Sequence, residues 1–84
     1  MATKIIVYTG NTCSKCKRAK EMLRSCPVDV EIEERNIDDI DKGGLYVEEL
    51  RQMGSMVLPT LIIKEDEYFG FDENIGKIME ALGL

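Results

Sequence analysis

The sequence predicts a single α/β domain in which helices cover both faces of a four-stranded mixed sheet, in the order β-α-β-α-β-β-α. Stretches with strand periodicity alternate with stretches of helical periodicity, and two short strands near the C-terminus form a hairpin. The chain of 84 residues is long enough for one hydrophobic core. No linker or internal repeat divides it, so we expect one domain over residues 1–84.

The first half of the chain predicts a strand, a helix and a second strand. Residues 4–8 are β-branched and aromatic and are followed by turn-forming residues. Thr12 is expected to cap the helix and Pro27 to end it. The buried face of this helix is indicated by an apolar stripe at helical spacing: Cys16, Ala19, Met22, Leu23 and Cys26. Residues 28–33 alternate between apolar and acidic, which is typical of a strand that would pair in parallel with the first.

The second half predicts a helix, a hairpin and a last helix. A polar loop ends in a break at Gly43-Gly44, and a helix then follows to Gly54, a good C-terminal stop. The apolar positions of this helix are Tyr46, Val47, Leu50 and Met53. Residues 60–63 and 68–70 are the hairpin strands, joined by an acidic turn at 65–67. Asp72 is expected to cap the last helix. The apolar stripe of that helix is Ile75, Ile78, Met79 and Leu82.

Composition and charge exclude several classes of function. The net charge of -5 repels nucleic-acid phosphates, so nucleic acid is not an expected partner. No apolar run approaches the roughly 20 residues that cross a bilayer, so we expect no membrane partner and a cytoplasmic location. The chain has no histidine and only three cysteines, which leaves a closed zinc site incomplete. No bound metal is therefore expected.

The pair Cys13 and Cys16 lies where the first strand meets the first helix. Unpaired N–H groups and the dipole at a helix start favour the nucleophilic thiolate, and Lys15, Lys17 and Arg18 add positive charge. Because Cys16 lies on the inward stripe, we predict that Cys13 is the attacking nucleophile and Cys16 the resolving thiol. Metal or iron–sulfur binding between subunits is the alternative for this pair.

Cys26 is expected to stand apart from this chemistry. Helix geometry places it about 20 Å from Cys13 and about 15 Å from Cys16, too far for a disulfide or a shared metal. It continues the apolar stripe, so a core role is the main interpretation, with a modifiable thiol as the alternative.

These motifs together resemble the glutaredoxin family over nearly the whole chain. The resemblance is carried by Tyr8, by Cys-Ser-Lys-Cys at 13–16, by Val-Leu-Pro at 57–59 and by Gly-Phe-Asp at 70–72. It implies a thioredoxin-like fold of the glutaredoxin type and thiol–disulfide oxidoreductase activity. It also implies a cis Leu58–Pro59 bond beside the cysteines and no tightly bound cofactor.

The resemblance further implies a site for glutathione or a substrate peptide. Its residues would be Lys15, Leu58, Pro59, Gly70, Phe71, Asp72 and Glu73. The backbone of Leu58 would pair with an extended substrate, and the start of the last helix would hold the γ-glutamyl end of glutathione as co-substrate. Asp72 or Glu73 would take its ammonium group, although a simple N-cap is the alternative for Asp72.

The sequence departs from the family pattern at several positions. Gly10 stands where many glutaredoxins carry lysine, Phe69 replaces one glycine of a pair, and Ser14-Lys15 replaces Pro-Tyr. Gly70-Phe71 is closer to glutaredoxin-like redoxins that draw electrons from thioredoxin reductase. The first half of the chain, up to and including residues 34–37, is also similar to arsenate-reductase-type proteins, which are longer chains.

The expected partners follow from this resemblance. We expect a monomeric electron carrier that reduces disulfide-containing proteins or glutathione mixed disulfides, with glutathione or thioredoxin reductase as its electron donor. An iron–sulfur cluster-bridging glutaredoxin and a non-catalytic thiol redox sensor are the alternatives.

Overall fold

The computed structural model describes residues 3–83, where a four-stranded mixed sheet is flanked by three α-helices in the predicted order. The elements are β1 (Thr3–Thr9), α1 (Ser14–Arg24), β2 (Val30–Asn36), α2 (Gly43–Met53), β3 (Thr60–Ile63), β4 (Asp66–Phe69) and α3 (Ile75–Ala81). A 3-10 turn at Asp72–Asn74 precedes α3. The predicted domain of residues 1–84 includes Met1, Ala2 and Leu84, which lie outside the described residues. Across residues 3–83, no helix is both long and apolar enough to cross a membrane.

The sheet has the strand order β2-β1-β3-β4, which places β1 inside it. β1 pairs in parallel with β2, in a register that joins Thr3 to Val30 and Thr9 to Asn36. It pairs antiparallel with β3, which forms the hairpin with β4. The end of β1 is therefore supported on both sides, and the chain that leaves it starts from a rigid position.

The hairpin and the second strand differ from their predicted bounds. Lys64 and Glu65 both have positive φ, 50° and 74°, and form a two-residue turn. Asp66 already pairs with Ile63, so the predicted turn at 65–67 was wrong and β4 ends at Phe69 instead of residue 70. β2 starts later than predicted and continues to Asn36, because pairing with β1 extends it through the charged residues that follow Glu33.

α1 and α3 pack on one face of the sheet and enclose the main core. The buried residues of this core are Ile5, Val7, Ala19, Leu23, Leu61, Ile63, Phe71, Ile78 and Leu82. Burial of each large apolar side chain stabilises the fold by about 1.5–3 kcal/mol. The stripes predicted for the first and last helices are confirmed as the packed faces. Their less buried members lie at the edge of the core: Met22, Cys26, Ile75 and Met79.

α2 packs on the opposite face, over Tyr8 of β1. The Tyr8 hydroxyl donates to Glu49 Oε1 and accepts from Arg35 Nη1, both at 2.9 Å. Burial and the hydrogen bond to Glu49 raise the pKa of Tyr8, although Arg35 opposes them. Tyr46 packs edge-on against the Tyr8 ring with centroids 6.4 Å apart. This network attaches α2 to β1 and β2, so the prediction of helices on both faces is confirmed.

The start of α2 corrects the predicted break at Gly43-Gly44. The side chain of Asp39 accepts hydrogen bonds from the backbone N–H groups of Asp41 and Lys42, and the chain turns directly into the helix at Gly43. A Cβ at Gly43 would contact the carbonyl of Ile37, so close packing requires this glycine. The predicted end is confirmed, since Gly54 follows α2 with a φ of 80°.

Candidate functional site

The site is built around a disulfide bond between Cys13 and Cys16 at the start of α1. Cys13, and not the predicted Thr12, is the N-cap residue: its Sγ accepts from the backbone N–H of Cys16 at 3.1 Å. N–H groups in the first turn of a helix have no partner inside the helix. The sulfur therefore occupies the position in which a serine or aspartate oxygen usually caps a helix.

The two cysteines differ in exposure. Cys13 is partly exposed, whereas only 1% of Cys16 is exposed because it lies on the core-facing stripe with Ala19 and Leu23. A substrate disulfide can therefore reach Cys13 directly, and Cys16 only after Cys13 has reacted. This difference agrees with the predicted order of attack, while the chemical roles themselves stay predictions.

The loop between β1 and α1 carries Cys13 and is held by short polar contacts. The Cys13 N–H donates to the carbonyl of Gly10 at 3.3 Å. The Asn11 N–H donates to Asp38 Oδ2, and Asn36 Nδ2 donates to Asn11 Oδ1, both at 2.8 Å. Sequence reasoning missed Asn11 and Asp38, because they meet only when β2 returns beside β1.

Pro59 lies at the start of β3 and is fully buried, with a cis Leu58–Pro59 bond as the resemblance implies. The next residue, Thr60, pairs with Tyr8 near the end of β1. A Cβ at Gly10 would lie 3.2 Å from Leu58 Cδ1, so Leu58 touches the base of the cysteine loop. The fold thus brings the proline segment beside the cysteine segment.

The backbone around Leu58 is available for a partner chain. The neighbouring Val57 carbonyl accepts from the Thr60 hydroxyl at 2.7 Å. Within residues 3–83, the N–H and C=O of Leu58 form no hydrogen bond. Val57 and Met56 are exposed, Met56 almost completely. An extended peptide could therefore pair with Leu58 and cover these apolar side chains.

Gly70 and Phe71 connect the hairpin to the last helix next to Pro59. The Gly70 N–H donates to the Pro59 carbonyl at 2.9 Å, and its φ is 95°. Asn74, which the sequence analysis did not single out, donates from Nδ2 to the carbonyl of Gly70 at 3.0 Å. The Phe71 side chain is 1% exposed and belongs to the core, so only its backbone is available to a ligand.

Asp72 and Glu73 are exposed near the start of the last helix. The predicted N-cap role of Asp72 is wrong: neither the 3-10 turn nor α3 has a side-chain cap. The reason is that Asp72 is the first residue of the 3-10 turn, not the residue before it, and its Oδ1 lies 3.8 Å from Arg18 Nη1. The Glu73 carboxylate lies over Gly70. Lys15 is exposed on the first turn of α1.

A cleft of about 570 Å³ opens beside the disulfide, between α1 and β2. Lys17 and Lys20 line it from α1, and Glu34 and Asn36 line it from β2. Burial raises the pKa of Glu34, but hydrogen bonds from Thr9 at 2.7 Å and from Lys20 at 3.0 Å outweigh it, and the net shift is downward. No sequence signal indicated this cleft, because its walls are distant in the chain.

Cys26 lies at the end of α1, apart from the disulfide, and its thiol donates to the Met22 carbonyl at 3.3 Å. In the part of the chain that the structure describes, no three His, Cys, Asp or Glu side chains converge as a metal site.

Comparisons with known proteins find similar chains both by family and by structure. The family model of glutaredoxin matches residues 5–68. A glutaredoxin structure from Methanosarcina mazei Go1 is 32% identical, with a TM-score of 0.73, over 96% of this chain and 79% of that one. The thioredoxin-like protein BC3987 is 28% identical, with a TM-score of 0.74, over 93% and 99% of the two chains. Glutaredoxin 1 from Francisella tularensis, complexed with cacodylate, is 26% identical, with a TM-score of 0.64, over 94% and 99%.

No curated protein sequence matches the chain. The glutaredoxin model nevertheless spans most of it, from the middle of β1 to the middle of β4, and this range includes Cys13, Cys16 and Pro59. The neighbouring structures share its sheet and helices. The chain therefore belongs to the glutaredoxin family and has a thioredoxin-like fold.

Proposed function

We propose that this protein is a dithiol oxidoreductase that reduces protein disulfides or mixed disulfides with glutathione. The observation that carries the proposal is the Cys13–Cys16 disulfide at the start of α1, in which only Cys13 is accessible. Membership of the glutaredoxin family supports it. A cytoplasmic location and a monomeric state stay predictions.

The proposed reaction begins with the reduced protein. The Cys13 thiolate attacks one sulfur of the substrate disulfide; that S–S bond breaks, and the other substrate sulfur leaves as a thiolate and takes a proton from water. Cys16, as its thiolate, then attacks Cys13 Sγ, releases the second substrate thiol and forms the Cys13–Cys16 disulfide. Two electrons pass to the substrate, so a donor must reduce the protein again.

The helix start supplies the stabilisation that this nucleophile needs. In the cap position, Cys13 Sγ already accepts from the Cys16 N–H at 3.1 Å. A hydrogen bond to an anion is stronger than one to a neutral group, so the same N–H favours the thiolate over the thiol. The free backbone of Leu58 supports a role in aligning the substrate chain next to Cys13.

We further propose thioredoxin reductase as the better electron donor. At Gly10 the chain has no cationic side chain to bind a glutathione carboxylate, and Asp38 Oδ2 lies 3.4 Å from the position that a Cβ would take there. Because this carboxylate repels the anionic glutathione, it favours a protein donor. To compare them, the oxidised protein is given NADPH with thioredoxin reductase, or with glutathione and glutathione reductase, and NADPH consumption is followed.

The test of the mechanism uses one variant for each cysteine. Cys13→Ser is expected to abolish disulfide reduction, and Cys16→Ser to accumulate a mixed disulfide on Cys13 that intact-mass spectrometry detects. Cys26→Ser is the matched control and should keep the activity, since that thiol lies apart from the disulfide. Full activity of Cys13→Ser would refute the proposal.

A further inference from the structure

Two buried hydroxyl groups lie at the ends of the loop that joins α2 to β3. Ser55 follows the last turn of α2 and is 4% exposed, and Thr60 is the first residue of β3 and is completely buried. Their side-chain oxygens are 2.6 Å apart. The residues between them, 56–59, contain the cis peptide bond, and we call this segment the proline loop. The hydroxyl pair therefore closes the base of the proline loop.

The protons of the two hydroxyl groups have one consistent arrangement. The Thr60 hydroxyl donates to the Val57 carbonyl at 2.7 Å, which uses its only proton. The Ser55 hydroxyl lies 3.4 Å from the same carbonyl and is therefore the donor to Thr60 Oγ1. Consecutive hydrogen bonds strengthen one another, so Ser55 supports the bond from Thr60 to Val57. The Ser55 N–H donates to the Leu50 carbonyl at 3.0 Å, which fastens the pair to α2.

The bond to the Val57 carbonyl fixes the direction of the Leu58 N–H, because these two groups belong to one planar peptide unit. Within residues 3–83 the only cis bond is Leu58–Pro59, so the Val57–Leu58 unit is trans. In a trans unit the C=O and N–H groups point in opposite directions. Since Thr60 holds the carbonyl toward the buried side, the Leu58 N–H points away from that side, and it has no acceptor among the described residues.

We propose that Thr60, supported by Ser55, is a positioning residue that aims the Leu58 N–H at the backbone of the substrate. The inference rests on the proposed oxidoreductase function and adds to it the groups that hold the substrate-aligning N–H in place. Leu58 touches the base of the cysteine loop at Gly10, so a peptide carbonyl that accepts from Leu58 brings the neighbouring substrate sulfur toward Cys13. Thr60 is completely buried and touches no substrate, so its loss should impair alignment and leave the thiol chemistry intact.

The first test compares two probes in a Cys16→Ser background. One probe is an extended peptide that carries a single central cysteine as a thiopyridyl mixed disulfide. The other is the thiopyridyl mixed disulfide of 2-mercaptoethanol, which has the same leaving group and no peptide bond. In both reactions the Cys13 thiolate attacks the sulfur of the probe, the S–S bond to pyridine breaks, and pyridine-2-thione leaves after taking a proton from water. The absorbance of pyridine-2-thione gives the two second-order rate constants.

The variants remove the two hydroxyl groups singly and together. We expect Ser55→Ala with Thr60→Val to slow the peptide reaction about tenfold and to keep the small-probe rate within about twofold. Thr60→Val alone should slow the peptide reaction about threefold, because the Ser55 hydroxyl still reaches the Val57 carbonyl. Thr60→Ser keeps the hydroxyl and should react like the parent. Ser25→Ala is the matched control, since it removes a hydroxyl-to-carbonyl hydrogen bond of 2.8 Å at the end of α1 and should leave the ratio of the rates unchanged.

The outcomes separate this proposal from the proposed function. A ratio of rates that the double variant does not lower, or that Thr60→Ser lowers equally, overturns the positioning role. Equal losses with both probes overturn it as well, because they show a general structural effect. If the double variant does not fold, Thr60→Val against Thr60→Ser decides by the same criterion. If the parent releases pyridine-2-thione from neither probe, the oxidoreductase function itself fails.

The second test observes the Leu58 N–H directly. The Cys16→Ser protein is labelled with ¹⁵N and joined to the peptide through Cys13, and its amide signals are compared with those of the free protein. We expect the Leu58 amide proton to shift to higher frequency and to exchange more slowly with solvent when the peptide is attached. Both responses should be lost when Ser55→Ala and Thr60→Val are added. A Leu58 amide that ignores the peptide, or that responds equally without the two hydroxyl groups, overturns the proposal.

Discussion

Replacement of Gly70 by alanine is expected to destabilise the protein by about 1–2 kcal/mol. The φ of Gly70 is 95°, in the region where a Cβ collides with the neighbouring backbone. Two hydrogen bonds hold this conformation: the Gly70 N–H donates to Pro59 at 2.9 Å, and its carbonyl accepts from Asn74 at 3.0 Å. Alanine could adopt a negative φ only by breaking them, so its backbone strain remains in the folded state.

A side-chain contact at the same position contributes less to the expected destabilisation. A Cβ at Gly70 would also contact the Glu73 carboxylate. Glu73 is exposed, so its flexible side chain can rotate away at little cost. The positive φ therefore accounts for most of the loss. In a domain of this size, 1 kcal/mol corresponds to about 4–8 °C in Tm, so we expect Gly70→Ala to lower the Tm by about 4–16 °C.

The assay is thermal unfolding followed by circular dichroism, in a cycle of Gly70→Ala, Glu73→Ala and the double variant. The effect of Gly70→Ala should be the same in both backgrounds to within about 0.5 kcal/mol. Gly76→Ala is the matched control: Gly76 lies in α3 with open space around its Cβ position, so alanine should stabilise the helix by about 0.5–1 kcal/mol. A loss that disappears in the Glu73→Ala background would refute the backbone argument and assign the cost to the side-chain contact.

Three further variants test the packing and the charges around the site. Leu23→Ala removes a completely buried side chain and should cost about 2–5 kcal/mol in urea unfolding; a smaller loss would show that the core collapses around the cavity. Glu34→Gln should be less stable than the wild type at neutral pH. Because the folded-state pKa of Glu34 is lowered, this difference is complete above the unfolded pKa near 4.5 and disappears as pH falls through the folded pKa. Unfolding at several pH values checks it, and a constant difference would contradict the contacts with Thr9 and Lys20. Tyr8→Phe should cost about 0.5–1.5 kcal/mol, as Glu49 loses one donor, and an unchanged urea midpoint would contradict this.

Local periodicity was sufficient to predict most elements of this protein. The α1 stripe through Ala19 and Leu23 and the α3 stripe through Ile78 were predicted correctly, because side chains repeat every 3.6 residues whatever the helix packs against. Gly54 ended α2 as predicted, since a left-handed residue is a local requirement. The cysteine pair was predicted at a helix start because the strand before it and the helical stripe after it are also local patterns.

Predictions at element ends failed where a competing partner was nearby. Thr12 does not cap α1, because the sulfur of Cys13 accepts from the Cys16 N–H and takes that role. Asp72 is not a cap either, because it lies inside the 3-10 turn and faces Arg18. Gly43 entered α2 instead of breaking the chain before it, because Asp39 caps the preceding turn. Each of these competitions depends on which backbone groups the folded chain brings within reach.

The sequence by itself determined the order of elements, the buried faces of the first and last helices, and the location of the cysteines, all of which depend on neighbours within a few residues. Only the tertiary structure decided which contacts surround the cysteines, beyond the cis proline segment that the family resemblance implied. The contact of Leu58 with Gly10 joins segments almost fifty residues apart, and Asp38 reaches Asn11 only because β2 lies in parallel beside β1. The cleft between α1 and β2 arises because α1 packs beside an outermost strand, and a periodic pattern along one segment carries no information about how far apart two segments lie.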